Sequence, residues 1–184
     1  DARRVGDRFM REIPTALREF RELSFANRVS DTVTLSTFHG CPPHEIEGII
    51  DYLMRELGLN CVIKFNPMLL GKMETLGLLH DALGYRDIRV PDSAFERDTR
   101  WEEAVEIVDR LGRTAASLGL SLGVKLTNTL IVHNSRGFLP SSEKEVYLSG
   151  PPLHVLAMHL VARFRRHFGD RFDSKEVSRM VAAT

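Results

Sequence analysis

The sequence predicts an α/β fold made of parallel strand–helix repeats, a partial (β/α)8 TIM-barrel. Short runs of β-branched and apolar residues recur along the chain, and segments with helical apolar spacing lie between them. The strand starts lie 25 to 36 residues apart. A (β/α)8 barrel of ~250 residues allots roughly 31 residues to each unit. The predicted units therefore correspond to about half of a closed barrel.

Three regions are predicted: residues 1–30 as an N-terminal helical segment, residues 31–170 as the partial barrel, and residues 171–184 as a C-terminal helical tail. Helical spacing of apolar residues indicates the first helix over 1–22, with a break at Pro14. Strands are predicted at 32–36, 61–65, 86–90 and 122–126. Helices are predicted at 44–57, 72–83, 101–117 and 152–168. Because the strands read as nearly continuous apolar runs, we expect both faces of a parallel sheet to be covered.

Each element has a local reason. Thr32 to Ser36 is β-branched and apolar, and the following helix starts at Pro43, since proline is pre-organised for a first helical position. The stripe of that helix consists of Ile46, Ile49, Ile50, Leu53 and Leu57. Residues 61–65 are apolar apart from one lysine, and Asn66-Pro67 ends that strand. The last helix begins at Pro151-Pro152 and presents Leu153, Leu156, Leu160, Phe164 and Phe168 for burial.

Composition narrows the class of protein. Hydrophobic residues make up 43% and charged residues 27% of the 184 residues, and the formal net charge is zero. A neutral chain has no global field to attract nucleic acid or an anionic membrane, so neither is an expected partner. Two cysteines are too few for a disulfide framework and favour a reducing, cytoplasmic location. The sequence shows no signal-peptide pattern, which agrees with this location. Because it starts without Met, we also expect it to be a segment of a longer protein.

The candidate site lies where the predicted strands end, because ligands of parallel α/β folds sit at the carboxyl ends of strands. We expect Ser36, His39, Lys64, Lys125 and Asn128 to converge there. A lysine in an apolar strand is costly unless it is paired or faces a ligand. Lys64 and Lys125 are therefore either cations for an anionic ligand or partners of a carboxylate on a neighbouring strand.

Other chemistry receives less support from the sequence. His39, Cys41 and His44 match no tetrahedral zinc spacing. Cys41 precedes a helix and is read either as a thiol of lowered pKa or as a small buried turn residue. Residues 147–150 precede a helix and could offer backbone N–H groups to a phosphate, or simply form a loop. No P-loop and no G-x-G-x-x-G is present.

Four motifs, in this order, resemble the barrel of proteins labelled selenate reductase subunits or glutamate-synthase-like oxidoreductases. They are TLSTFHGCPP (34–43), VIKFNP (62–67), GVKLTNT (123–129) and YLSG (147–150). This family is similar in turn to the flavin barrels of dihydroorotate and dihydropyrimidine dehydrogenases. The resemblance implies an oxidoreductase and flavoprotein with FMN as cofactor, a small-molecule substrate, and other redox domains in the parent chain as partners.

Carried onto this sequence, the resemblance puts Lys64 or Lys125 on the flavin ring and Ser36, Thr127 and Asn128 in its pocket. The full set of predicted cofactor-binding residues is Ser36, His39, Lys64, Asn66, Lys125, Thr127, Asn128, Ser149 and Gly150. The Gly-Gly strand that grips the FMN phosphate in those barrels is not found after residue 170. Iron–sulfur, FAD and NADPH fingerprints are also not found in this sequence, and the resemblance assigns those cofactors to other parts of the parent.

Three functions stay open at this point. The chain is a fragment of a flavin-dependent oxidoreductase, a non-catalytic barrel scaffold that joins redox modules or mediates assembly, or an unrelated barrel enzyme with Lys64 or Lys125 as a Schiff-base lysine. We expect the segment alone to be inactive and to bind flavin weakly. We also expect it to self-associate as a homo-oligomer, since an incomplete barrel leaves unpaired strand edges.

Overall fold

A computed structural model describes residues 8, 11–17, 28–36 and 41–169 of the chain. The chain divides into two compact units, Asp1–Ser30 and Asp31–Thr184. In the first unit, residues 8, 11 and 12 are helical, and a 3-10 turn at 15–17 follows Pro14, whose carbonyl accepts from the Leu17 N–H (2.9 Å). The rest of the predicted helix at 1–22 and the tail at 171–184 lie outside the described residues.

The second unit alternates strands and helices. In chain order its elements are β1 (Thr32–Ser36), α1 (Pro43–Arg55), β2 (Asn60–Phe65), a 3-10 turn (Pro67–Leu70), α2 (Lys72–Leu76), a π-helical turn (Gly77–Ala82), α3 (Asp92–Arg97), α4 (Trp101–Ser117), β3 (Leu122–Leu126), β4 (Leu130–His133), β5 (Glu145–Leu148) and α5 (Pro151–Phe168). None of the described helices is both long enough and apolar enough to cross a bilayer.

The first three strands form one parallel sheet in the order β1-β2-β3. Thr32 on β1 lies opposite Asn60 on β2, and Phe65 at the end of β2 lies opposite Leu126 on β3. Helices connect the strands, as a parallel sheet requires. The predicted parallel strand–helix architecture of a partial barrel is confirmed, and three of the four predicted strands match within one residue.

The remaining prediction, a strand at 86–90, is wrong. Residues 86 and 87 form a turn after Gly84, whose φ of 76° suits glycine, and 88–90 are not paired into the sheet. The Ile88 carbonyl instead accepts from His80 Nε2 (2.8 Å), and the Arg89 carbonyl accepts from the His133 N–H (2.8 Å). These two contacts take up the carbonyls of the segment, and β3 is the strand that pairs with β2.

A second difference concerns the segment before α5, where the sequence predicts no strand. Its end is the strand β5, which pairs with β4 in an antiparallel hairpin. The pairing runs from Leu130 opposite Leu148 to His133 opposite Glu145. Asn134 closes the turn, because its side-chain amide donates to the carbonyls of Leu139 and Glu143. The hairpin makes up most of the connection between the end of β3 and the start of α5, and residues 149–150 complete it.

The two faces of the three-stranded sheet differ sharply. Strand alternation places one set of side chains against the helices: Val33 and Leu35 of β1, Cys61, Ile63 and Phe65 of β2, and Leu122, Val124 and Leu126 of β3. The opposite face carries Thr32, Thr34 and Ser36 of β1, Asn60, Val62 and Lys64 of β2, and Gly123 and Lys125 of β3. The expectation that the strands are apolar on both faces is therefore wrong. Only Val62 is a large apolar residue on the second face, which we call the inner face.

Helix packing fixes the end of β2. The Phe65 ring stacks on Phe164 of α5, with ring centroids 6.2 Å apart, and Trp101 of α4 meets the same Phe164 ring edge-on at 4.8 Å. All five predicted contacts of α5 are buried. Burying each of these large side chains stabilises the fold by roughly 1.5–3 kcal/mol. Since Phe65 is held on the helix side, strand alternation directs its neighbour Lys64 to the inner face.

Candidate functional site

A row of polar side chains crosses the inner face at the carboxyl ends of the strands. Ser36 is the register partner of Lys64, and Lys64 is the register partner of Lys125. Register partners on neighbouring strands lie about 4.8 Å apart and point to the same face. The structure therefore brings Ser36, Lys64 and Lys125 together, as predicted, on the face away from the helices. We call these three residues the lysine row.

The lysine row has an excess of positive charge. Neither ammonium group forms an ion pair with a carboxylate among the described residues, which disfavours the interpretation of a structural salt bridge. Burial, and then the neighbouring charge of Lys125, lower the pKa of Lys64 below its usual value of 10.5. Two adjacent cations without a carboxylate partner in the described part of the chain, on a half-buried surface, are complementary to an anionic or electron-rich ligand.

Asn128 joins the ends of all three strands. Its side-chain oxygen accepts a hydrogen bond from the Ser36 hydroxyl (3.1 Å), and its amide nitrogen donates to the Lys64 carbonyl (3.4 Å). Its backbone N–H donates to the Phe65 carbonyl (2.9 Å). Asn128 thus holds the lysine row in place from the loop after β3, and the predicted convergence includes it. His39, the remaining member of that prediction, lies outside the described residues.

Thr127 and Asn66, two further predicted site residues, are buried and form hydrogen bonds within the protein. Thr127 is 2% exposed, and its hydroxyl donates to the carbonyl of Asn128 (2.6 Å). Asn66 is buried beside Cys41, and its amide nitrogen donates to the Asp98 carboxylate (2.8 Å). The Asn66 side-chain oxygen is buried without a hydrogen-bond partner among the described residues. The structure thus places these two side chains where they support the loops after β2 and β3.

Ser149 and Gly150 lie between β5 and the start of α5. Ser149 lines a cavity of about 290 Å³ between the segment around Ile88 and the β4–β5 hairpin, with Tyr85 and Phe138 in its wall. No residue of the lysine row lines this cavity. The cavity, with the ion pair between Arg136 and Asp87 beside it, was not foreseen from the sequence, because it depends on the unpredicted hairpin.

The start of α5 is a poor phosphate cradle. Its first two residues, Pro151 and Pro152, have no backbone N–H. The next two N–H groups, of Leu153 and His154, both donate to the Gly150 carbonyl. A helix N-terminus binds anions through free N–H groups, and here the first turn offers almost none. The interpretation of residues 147–150 as a phosphate loop is therefore not supported by this geometry.

Cys41 is a buried turn residue rather than an activated thiol. It is 5% exposed, and its pKa is raised by burial and then by the charges of Glu45 and Asp98. A thiol of raised pKa has little thiolate at neutral pH and is a weak nucleophile. Across residues 8, 11–17, 28–36 and 41–169, no group of His, Cys, Asp and Glu side chains is arranged to hold a metal ion.

Comparison with known proteins adds to this geometry. Residues 7–175 match the family described as oxidoreductase YgfK, N-terminal TIM-barrel domain. The chain belongs to this family. It is 43% identical over 136 residues to the protein named "Putative oxidoreductase YgfK" of Escherichia coli strain K12, and equally to that of strain O157:H7. No solved structure matches the chain.

The match covers most of the chain and shows that it is a TIM-barrel domain of the kind found at the N-terminus of the YgfK family. The aligned region covers 74% of this chain but only 13% of each curated relative, so the relatives are far longer. The lysine row and Asn128 lie within the residues that match the family. They lie at the carboxyl ends of the strands, which is the face where TIM barrels carry out their chemistry.

Proposed function

We propose that this domain provides the flavin-ring side of an FMN-dependent oxidoreductase, with Ser36, Lys64, Lys125 and Asn128 around the ring. The observation that carries the proposal is the unpaired positive charge of the lysine row at the carboxyl end of a TIM-barrel sheet. A flavin carries carbonyl oxygens and ring nitrogens, whose electronics respond to nearby charge and hydrogen bonds. The row therefore fits the ring chemically.

The protein residues would act by position and charge, while bound FMN would supply hydride transfer. Lys64 and Lys125 would hold the electron-rich edge of the ring, and Asn128 would keep the two strands in register beneath it. Ser36, with its hydrogen already donated to Asn128, would offer only its acceptor side to a ligand. The phosphate contacts would come from residues other than Ser149 and Gly150, because α5 begins with two prolines.

Further parts of the proposal come from the resemblance alone. The parent protein would be cytoplasmic and act on a small-molecule substrate. Electrons would pass through iron–sulfur, FAD or NADPH modules in other domains of the same chain. The resemblance carries two labels, selenate reductase and glutamate-synthase-like, and the lysine row is compatible with an anionic substrate in either case.

A non-catalytic scaffold is the second candidate. Two observations favour it: the first turn of α5 offers almost no free N–H groups to a phosphate, and the described sheet has only three parallel strands. In that case the barrel would join the redox modules of the parent without a cofactor of its own.

Flavin analysis of the full-length protein tests the proposal. We expect the purified protein to carry FMN, identified by its visible absorbance and by its fluorescence after release. The substitutions Lys64→Met and Lys125→Met should each reduce the bound FMN, whereas Lys72→Met should not, since Lys72 is an exposed lysine paired with Asp92. FMN-free protein that cannot be reconstituted would support the scaffold. FMN retained by the double lysine variant would place the cofactor elsewhere in the parent.

A further inference from the structure

We propose that the side-chain amine of Lys64 reacts reversibly with small anionic carbonyl compounds, aldehydes or ketones that carry one carboxylate or phosphate, to form an imine. Lys125 would hold the anionic group of the compound. The proposal rests on the geometry of the lysine row and applies to the protein without bound FMN, because the proposed function places the flavin ring against the same two lysines.

The geometry supplies the two groups that such a reaction needs. Lys64 and Lys125 are register partners on adjacent strands, so their side chains leave the same face about 4.8 Å apart at the backbone. One small molecule can therefore contact both nitrogens. No carboxylate of the described residues is paired with either lysine. One amine is thus available as a nucleophile while the other provides positive charge.

Of the two lysines, Lys64 is the better candidate for the nucleophile because of its place in the sheet. It lies on the central strand, with Ser36 on one side and Lys125 on the other, whereas β3 is an outer strand of the sheet. Lys125 is the charged group that faces it from the neighbouring element, and together with burial it lowers the pKa of Lys64. A lysine with a lowered pKa has more free amine at neutral pH, which is how imine-forming lysines are activated.

The reaction balances without an oxidant or a reductant. The lone pair of the neutral Lys64 amine forms a bond to the carbonyl carbon, and the carbonyl oxygen takes a proton to give a carbinolamine. Loss of that hydroxyl with the remaining nitrogen proton releases one water and leaves a carbon–nitrogen double bond. Ser36 is placed beside Lys64 to accept a hydrogen bond from the carbinolamine hydroxyl, because its own hydrogen is donated to Asn128.

Reductive trapping tests the proposal. The full-length protein is first freed of any bound flavin and incubated with glyoxylate, an aldehyde that carries a carboxylate. It is then treated with borohydride, and the modified lysines are located by peptide mass spectrometry. We expect the label to be several-fold higher on Lys64 than on Lys72 or Lys144. Lys72 is a suitable control because its ammonium is half exposed and paired with Asp92. Equal labelling of the three lysines would overturn the proposal.

Two further measurements separate a specific site from a merely accessible lysine. The substitution Lys125→Gln should reduce the labelling of Lys64 by glyoxylate several-fold and shift its pH profile toward higher pH, since both the anion contact and the charge that lowers the pKa are removed. With acetaldehyde, which has no anionic group, the preference for Lys64 should shrink. A Lys64 pH profile that coincides with that of Lys72, in protein whose circular dichroism is unchanged, would overturn the proposal.

Discussion

The Ser36 hydroxyl donates a hydrogen bond to the side-chain oxygen of Asn128, 3.1 Å away, although β1 and the loop after β3 are separated by strand β2. Asn128 also donates to the Lys64 carbonyl on that intervening strand. One amide therefore connects the carboxyl ends of all three strands. The order of the lysine row depends on this residue.

The substitution Asn128→Ala should destabilise the protein by about 1–2 kcal/mol, because it removes two side-chain hydrogen bonds, each worth about 0.5–1.5 kcal/mol. Ser36→Ala should cost about 0.5–1 kcal/mol by the same reasoning. Urea unfolding measures both. Since the two residues share one bond, the double variant should lose less stability than the sum of the single variants. Strict additivity would mean that the bond contributes nothing.

The substitution Lys64→Met should raise stability while it weakens ligand binding. It removes a half-buried cation that has no carboxylate partner and lies beside Lys125, and we expect a gain of about 0.5–1 kcal/mol. Because the pKa of Lys64 is lowered on folding, the unfolded state binds more protons between the lowered value and 10.5. The free energy of unfolding should therefore rise with pH as this window is entered. Thermal melts at a series of alkaline pH values should show this rise in the stability of the unchanged protein. In Lys64→Met the rise should be absent.

The ion pair between Arg110 on α4 and Glu47 on α1 should matter at low pH. Two bonds join the groups, Nε to Oε1 (2.7 Å) and Nη2 to Oε2 (2.9 Å), and the pairing lowers the pKa of Glu47 below its usual value of 4.5. A lowered carboxyl pKa contributes stability above 4.5 that is lost as pH falls through the folded value. Both groups are partly exposed, so Glu47→Gln should cost only about 0.5–1 kcal/mol at neutral pH.

A matched control for that pair is Asp109→Asn, which removes the ion pair between Arg113 and Asp109 within α4 alone. That ion pair lies within one helix, and we expect a smaller loss. Chemical unfolding at neutral pH and near pH 3 compares the two. If Glu47→Gln lost the same stability at both pH values, the pair would not be the source of the acid sensitivity.

The buried hydrogen bond between Asn66 and Asp98 should hold the loop after β2 against the start of α4. Asn66→Ala removes a donor from a buried carboxylate, and we expect a cost of about 1–3 kcal/mol. Asn66→Asp should cost at least as much, since it places a second carboxyl group beside Asp98. Thermal unfolding measures both variants. A neutral effect of Asn66→Ala would mean that Asp98 is satisfied by its other contacts.

Self-association of the chain stays a prediction, but its physical basis changes. Within the described sheet, β1 and β3 are outer strands with one unpaired edge each, whereas the inner face is mainly polar. Association should therefore proceed through a strand edge rather than through apolar burial. Light scattering at tens of micromolar should give a mass above that of the monomer, and Thr34→Lys on β1 should lower it. Val29→Lys, outside the sheet, is the control, and a monomeric mass for the unchanged chain would refute the prediction.

The sequence predicted the parts of the fold that are local. The strands at 32–36 and 122–126 and the last helix were readable because β-branched runs and apolar residues at helical spacing need few outside contacts to be recognised. The strand predicted at 86–90 failed for the opposite reason. Its two apolar residues lie among charged ones, and the carbonyls of Ile88 and Arg89 bond to His80 and to the His133 N–H instead of to a strand of the sheet.

The candidate site divides in the same way. The sequence by itself identified Ser36, Lys64, Lys125 and Asn128, because polar residues at the ends of apolar strands stand out in any α/β protein. Only the tertiary structure decided that the lysines are register partners without a carboxylate between them, and that Asn128 reaches across β2 to Ser36. It also decided that the Asn66 side chain bonds to Asp98 and that Ser149 lines the cavity beside the β4–β5 hairpin. The physical reason is that strand register and side-chain direction are set by contacts between segments distant in sequence, which no local pattern encodes.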